Sequence, residues 1–117
     1  MTERHHSAPI GVWKELGGGV RRRIRSYGGD IMAVEVGFDR GGVGAPHRHP
    51  HRQLTYCLAG AFRFTVEGRD TDLRQGDTIF FPENSLHGCV ALEPGVLLDV
   101  FTPLRQDFLE ADGLLNL

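Results

Sequence analysis

With 117 residues, 40% of them apolar and 24% charged, the chain is long enough for one domain with one core and too short for two. A formal charge of −2 gives no electrostatic reason to expect nucleic acid or an anionic membrane as a partner, and no stretch approaches the roughly 18 consecutive apolar residues of a membrane span. The opening residues MTERHHSAPIGVW lack the apolar centre of a secretory leader, so the expected location is the cytoplasm.

Taken along the chain, residues 1–16 read as an N-terminal segment, partly flexible, in which His5 and His6 are solvated. Residues 17–110 form the domain, and 111–117 a tail whose last six residues are loosely held. Sixteen glycines and six prolines punctuate short runs rich in Val, Ile, Phe and Thr, with no sustained 3.6-residue period, so the fold class is all-β. Strands are predicted over 11–15, 20–26, 31–38, 44–49, 53–59, 61–67, 70–74, 78–81, 87–92 and 96–102. Gly28-Gly29-Asp30, Gly41-Gly42, Gly60, Gly68, Gly76 and Pro94-Gly95 supply the turns, and 103–111 suits a short helical turn. Met32, Val34, Val36 and Phe38 share one face of their strand with Glu35 on the other, and Phe62, Phe64 and Val66 alternate with Arg63 and Thr65. Each strand can thus bury one face and wet the other. Cys57 and Cys89 stand outside any C-x-x-C pair and read as buried free thiols.

Four of the six histidines fall in two short segments. In Pro46-His47-Arg48-His49-Pro50-His51-Arg52-Gln53, residues two apart on an extended strand point the same way, so His47 and His49 can offer both imidazoles to one ion. By itself an H-x-H pair is a weak signal. The framing is more specific: Gly41-x5-His47-x-His49-x3-Gln53-x6-Gly60, then Gly76-x5-Pro82-x4-His87. These strings resemble the two motifs of the cupin superfamily. The resemblance implies a single-domain double-stranded β-helix, a jelly-roll-like barrel. It also implies one divalent metal ion held by His47, His49, Gln53 and His87, for which Zn, Ni, Fe, Mn or Co would all suit the donor set. Histidines that merely line a pocket are the alternative. His51 shares the parity of the ligands, but Pro50 breaks the strand regularity there, so an orienting or surface role is expected.

Two positions depart from the motif. Asn84 stands where glycine is common, and Asn tolerates the left-handed backbone conformation. Gln53 stands where most cupins have glutamate. An amide oxygen brings no charge, so a bound ion keeps nearly its full charge and is a stronger Lewis acid. The set also differs from the two-His, one-carboxylate triad of iron oxygenases.

The string H-x-H-P-H-x-Q, the tail Asp99-Val-Phe101-Thr-Pro103-Leu-Arg105-Gln-Asp107-Phe108, the lead-in Gly19-Val-Arg-Arg-Arg-Ile24 and the run Tyr27 to Val34 are similar to the pectin-degradation (KdgF-type) cupins. That likeness covers roughly residues 17–109. It implies opening of 4,5-unsaturated monouronates, released by polysaccharide lyases, to linear keto sugar acids. Asp99 and Arg105 would be the catalytic pair and Phe101 would shape the substrate pocket. A structural ion pair between Asp99 and Arg105 is the bland alternative. Arg22 shares the parity of Val20 and Ile24 and can reach the same pocket as a substrate-binding group; a solvated edge-strand arginine is its other reading. The family and the need to cover exposed sheet edges imply a homodimer. Two rival functions remain at this stage: a metal-dependent dioxygenase of a small substrate, which Gln53 disfavours, and a non-catalytic ligand-binding module.

Overall fold

The computed structural model describes residues 3–114. Ten strands and one helix follow one another: β1 (Lys14–Gly17), β2 (Val20–Gly28), β3 (Ile31–Phe38), β4 (Val43–His47), β5 (Arg52–Ala59), β6 (Ala61–Val66), β7 (Arg69–Arg74), β8 (Thr78–Phe81), β9 (His87–Ala91), β10 (Gly95–Thr102) and α1 (Gln106–Ala111). A six-stranded sheet runs β1-β2-β3-β10-β5-β8 and a four-stranded sheet runs β4-β9-β6-β7. All pairings are antiparallel. This is the two-sheet barrel expected of the sequence.

Alternation explains the layering. On β6, Phe62 and Phe64 point into the core while Arg63 and Thr65 face water. With Val20, Phe38, Cys57, Leu73, Phe81 and Leu97 they form one apolar cluster between the sheets. A second, around Ile24, Met32, Val34 and Phe101, is closed by Leu109 of the helix. At the β5–β6 turn, Gly60 has φ +87°, and a Cβ there would lie 2.6 Å from the Pro94 carbonyl oxygen, so only glycine fits.

The structure revises several details. The first strand begins at Lys14 rather than residue 11, although Ile10 and Gly11 still donate backbone hydrogen bonds to β2 carbonyls. The fourth ends at His47 rather than 49, and the helix starts only at Gln106 rather than 103. Glu35 lies on the expected wet face yet is buried, because Arg23 and Arg25 satisfy its carboxylate at 3.0–3.3 Å. Of the six terminal residues expected to be loose, Asp112 is held in a buried ion pair and the Leu114 carbonyl accepts the Tyr27 hydroxyl at 3.3 Å; residues 115–117 lie outside the described residues, as do 1 and 2. Cys57 and Cys89 are free as expected, but Cys89 is only partly buried. Asn84 adopts φ +60°, the left-handed conformation anticipated for it. No helix among the described residues is long and apolar enough to cross a membrane.

Candidate functional site

Strand register assembles the site. In the β4–β9 pair, His47 lies directly opposite His87, with an irregularity in β4 just before it. In the β5–β10 pair, Gln53 faces Phe101 and Thr55 faces Asp99. Side chains opposite one another on one face have Cβ atoms about 5 Å apart, close enough to interact directly. The two sheets thus bring a histidine cluster and a carboxylate to the same end of the barrel.

His47, His49 and His87 each place one ring nitrogen within 4.8 Å of the others, the one such cluster among the described residues. Their orientations have a common cause. Nδ1 of His47 lies 2.9 Å from the Ala45 carbonyl oxygen, that of His49 3.0 Å from His51 O, and that of His87 3.0 Å from Ser85 O. A carbonyl only accepts, so each Nδ1 carries the proton and each Nε2 is left with a free lone pair. His87 Nε2 is buried without any hydrogen-bond partner. His49 Nε2 sits 3.0 Å from Gln53 Oε1, two acceptors facing each other with no proton between them. Buried lone pairs in that arrangement are unfavourable unless a cation lies among them. His47, His49 and His87 therefore fit a divalent ion, and Gln53 Oε1 adjoins the same space.

Supporting contacts hold the cluster in place. Phe81 stacks on the His87 ring at 4.4 Å. Arg48, between two of the histidines, donates to Asn84 O at 2.9 Å and to Glu67 Oε1 at 3.1 Å, and Glu67 also accepts the Leu86 N–H. The two histidine-bearing segments are thus tied together from outside. His51 does not join the cluster; its Nε2 lies 3.1 Å from Leu104 O, and its backbone carbonyl orients His49.

A cavity of about 440 Å³ opens beside the histidines, with His47, Gln53, Arg22, Asp99, Phe101 and Arg105 among its lining residues. The remaining wall is largely apolar, from Val20, Val36, Phe38, Phe64 and Leu97. Asp99 shares its strand face with Phe101 and accepts the Thr55 hydroxyl at 2.7 Å. Asp99 and Arg105 form no ion pair. Arg105 instead directs Nε and one terminal nitrogen at Asp107, at 3.1 and 2.8 Å, which leaves its other edge free for a second planar anion. The expectation of a solvated Arg22 is also overturned: it is 4% exposed and forks onto Asp112 at 3.3–3.4 Å. Phe108 organises both arginines, with the Arg22 and Arg105 guanidiniums 4.1 and 4.0 Å from its ring centre.

Sequence reasoning passed over Thr55, although it shares the parity of Gln53. It also passed over Asp112, whose role depends on a contact with β2 that no local pattern encodes.

Burial and neighbouring charge tune the site. Desolvation raises the Asp99 carboxyl to about 6, opposed by the Thr55 hydrogen bond and the charge of Arg105. Burial, with the other imidazoles and Arg105 adding to it, lowers His87 to about 4; His49 is lowered for the same main reason. In the metal-free protein these effects oppose each other. Between pH 6.5 and about 4 the unfolded chain takes up a proton that folded His87 refuses, so stability drains away as pH falls. Asp99 does the reverse, because its folded carboxyl gains a proton before the unfolded one does. Asp99→Asn removes that counterweight. Its melting temperature should fall more steeply than the wild type's on acidification through this window; parallel curves from thermal denaturation would contradict the assignment.

Residues 34–101 match the cupin domain family. The chain belongs to the cupins. This cupin is 44% identical over 99 residues to the pectin degradation protein KdgF of Dickeya dadantii, a match covering 83% of the chain and 90% of that relative. It superimposes on the structure of KdgF from Halomonas sp. with a TM-score of 0.81 and 41% identity, over 87% of this chain and 99% of that one. An RmlC-like cupin from Shewanella frigidimarina gives a TM-score of 0.84 at 34% identity, covering 92% and 96% of the two chains. Within the cupins, the chain therefore falls with the KdgF group.

Proposed function

We propose that this cupin is an enzyme of pectin or related uronate breakdown that opens the ring of 4,5-unsaturated monouronates to linear keto sugar acids. The observation that carries this reading is a partly buried carboxylate, Asp99, poised in one cavity with the histidine cluster and a guanidinium edge.

The reaction moves one proton and loses no atoms. The proton leaves the anomeric hydroxyl, the bond from the anomeric carbon to the ring oxygen breaks, and the resulting enolate is protonated at the former alkene carbon to give the ketone. Asp99 takes the first proton and returns it at carbon, as a carboxylate in hydrogen-bond reach can. The free edge of Arg105 holds the substrate carboxylate in plane. Phe101, 2% exposed, walls the pocket beside Asp99, and Arg22, its charge balanced by Asp112, lines the same cavity as a further hydrogen-bonding group. A divalent ion on His47, His49, His87 and Gln53 would supply positive charge where the ring oxygen turns negative. Because the amide of Gln53 replaces the carboxylate of a two-His, one-carboxylate set, oxygen chemistry fits less well.

Mixing the protein with lyase-generated unsaturated galacturonate or mannuronate tests the proposal. The absorbance of the conjugated alkene should disappear faster than in buffer, without oxygen uptake. No acceleration on any unsaturated uronate would sink it.

A cytoplasmic homodimer is part of the same reading. Leu54, Tyr56 and Leu58 on β5 and Phe80 on the edge strand β8 are all exposed on one sheet face, with Phe80 directly opposite Leu54. A second copy covering this face would remove both the apolar patch and the open edge. Phe80→Glu should shift the mass found by light scattering from dimer to monomer; an unchanged dimer would place the interface elsewhere.

A further inference from the structure

Why glutamine stands at position 53 follows from what lies behind it. Gln53 Nε2 donates to Thr55 Oγ1 at 2.9 Å, and Thr55 Oγ1 donates to Asp99 Oδ1 at 2.7 Å. Thr55 is fully buried, so no water substitutes for either bond. A threonine hydroxyl carries a single proton. With that proton directed at the Asp99 carboxylate, the hydroxyl can only accept from Gln53, and the amide must turn its NH2 toward Thr55. Its Oε1 is then left facing His49 Nε2 at 3.0 Å. Glutamate at position 53 would set carboxylates on both sides of one hydroxyl, with one proton to share.

We propose that Thr55 is a positioning residue that fixes the Gln53 amide with its oxygen toward the histidine cluster, so that the cluster offers four donor atoms rather than three. The inference rests on the metal reading above and deepens it. Without the hydroxyl, the amide loses its 2.9 Å hydrogen bond and keeps only a weaker attraction to the Asp99 carboxylate, so it can turn its NH2 toward His49 Nε2, where it would block a cation instead of binding one.

Cobalt(II) alone, titrated into the metal-free full-length protein at one fixed, mildly alkaline pH, reads this without any turnover. Thr55→Val preserves the shape of the buried side chain and deletes the hydroxyl; Thr55→Ser restores it. Loss of an outer partner of a metal ligand typically costs about 10–100-fold in affinity. Thr55→Val should therefore bind cobalt at least about tenfold more weakly, with a changed visible spectrum from the altered ligand set. Thr55→Ser should match the wild type in both. Equal affinity and an unchanged spectrum in Thr55→Val would overturn the proposal, whatever the variant's thermal stability.

A second measurement needs no variant. In the metal-free wild type, the Gln53 side-chain NH2 protons should show NOEs to Thr55; NOEs to the His49 ring instead would overturn it. Failure of the metal reading would appear differently, as no cobalt uptake by the wild type, and the NOEs would still decide the orientation of the amide.

Discussion

Asp99→Asn should lower kcat by about 10²–10⁴-fold, the usual contribution of a positioned proton-transfer group, while cobalt uptake stays at the wild-type level. The reasoning separates chemistry from architecture. Asparagine keeps an oxygen able to accept the Thr55 hydroxyl, so the chain from Asp99 through Thr55 to Gln53 can persist. It cannot take a proton from the anomeric hydroxyl. The wild-type profile of kcat/KM against pH, which reports the free enzyme, should lose activity on the acid side as Asp99 becomes protonated. Burial sets that carboxyl at about 6, and the positive charge of a bound ion can only move the limb lower. An acid limb well above pH 6, or a loss of metal in Asp99→Asn, would remove Asp99 from its assigned role. The same variant should be more stable than the wild type at mildly alkaline pH, because it no longer holds a desolvated carboxylate.

Replacing His47 and His49 together by alanine should abolish stoichiometric metal binding, a loss of at least about 100-fold in affinity, and leave a folded barrel. Neither histidine belongs to the two apolar clusters that hold the sheets together. His47 is exposed, and the buried ring of His49 packs against Phe101 at 5.7 Å, so truncation should cost about 1–3 kcal/mol through a small cavity. Metal analysis of the purified variant, alongside circular dichroism, decides the matter. Retained stoichiometric metal would refute the ligand assignment, because His87 and Gln53 alone cannot hold an ion tightly.

Most of the barrel could be read from the chain because each strand carries its own two-residue pattern and each turn its own glycine or proline. Phe62 and Phe64 against Arg63 and Thr65 need no tertiary information to assign faces. The histidines were legible for a related reason: their spacing is local, and the fold only has to set His47 across from His87. What escaped depends on contacts between distant segments. Arg22 looked like one more solvated arginine in a run of three, and only the approach of Asp112, 90 positions later, explains its burial. The ion pair that was the bland alternative for Asp99 and Arg105 does not form for the opposite reason, since Asp107 lies two residues from Arg105 and captures it first. Thr55 was hidden by its ordinariness: a threonine on a strand is unremarkable until Asp99 appears across from it.

The short helix after β10 has a consequence for the order in which the molecule becomes functional. Both sheets and all three clustered histidines precede Pro103, whereas Arg105, Asp107, Phe108 and Asp112 follow it. During synthesis the strands and the imidazole cluster can assemble before the arginine wall exists. A protease cutting just after Pro103 would undo that last stage and uncover the side of the core that Leu109 closes. The clipped barrel would still take up an ion but would present it in a cavity open on one side, with Arg22 stripped of its counter-charge. Under the proposed function, the histidines and the base Asp99 precede this joint while the carboxylate-binding Arg105 follows it, so limited proteolysis there should silence turnover while sparing cobalt uptake.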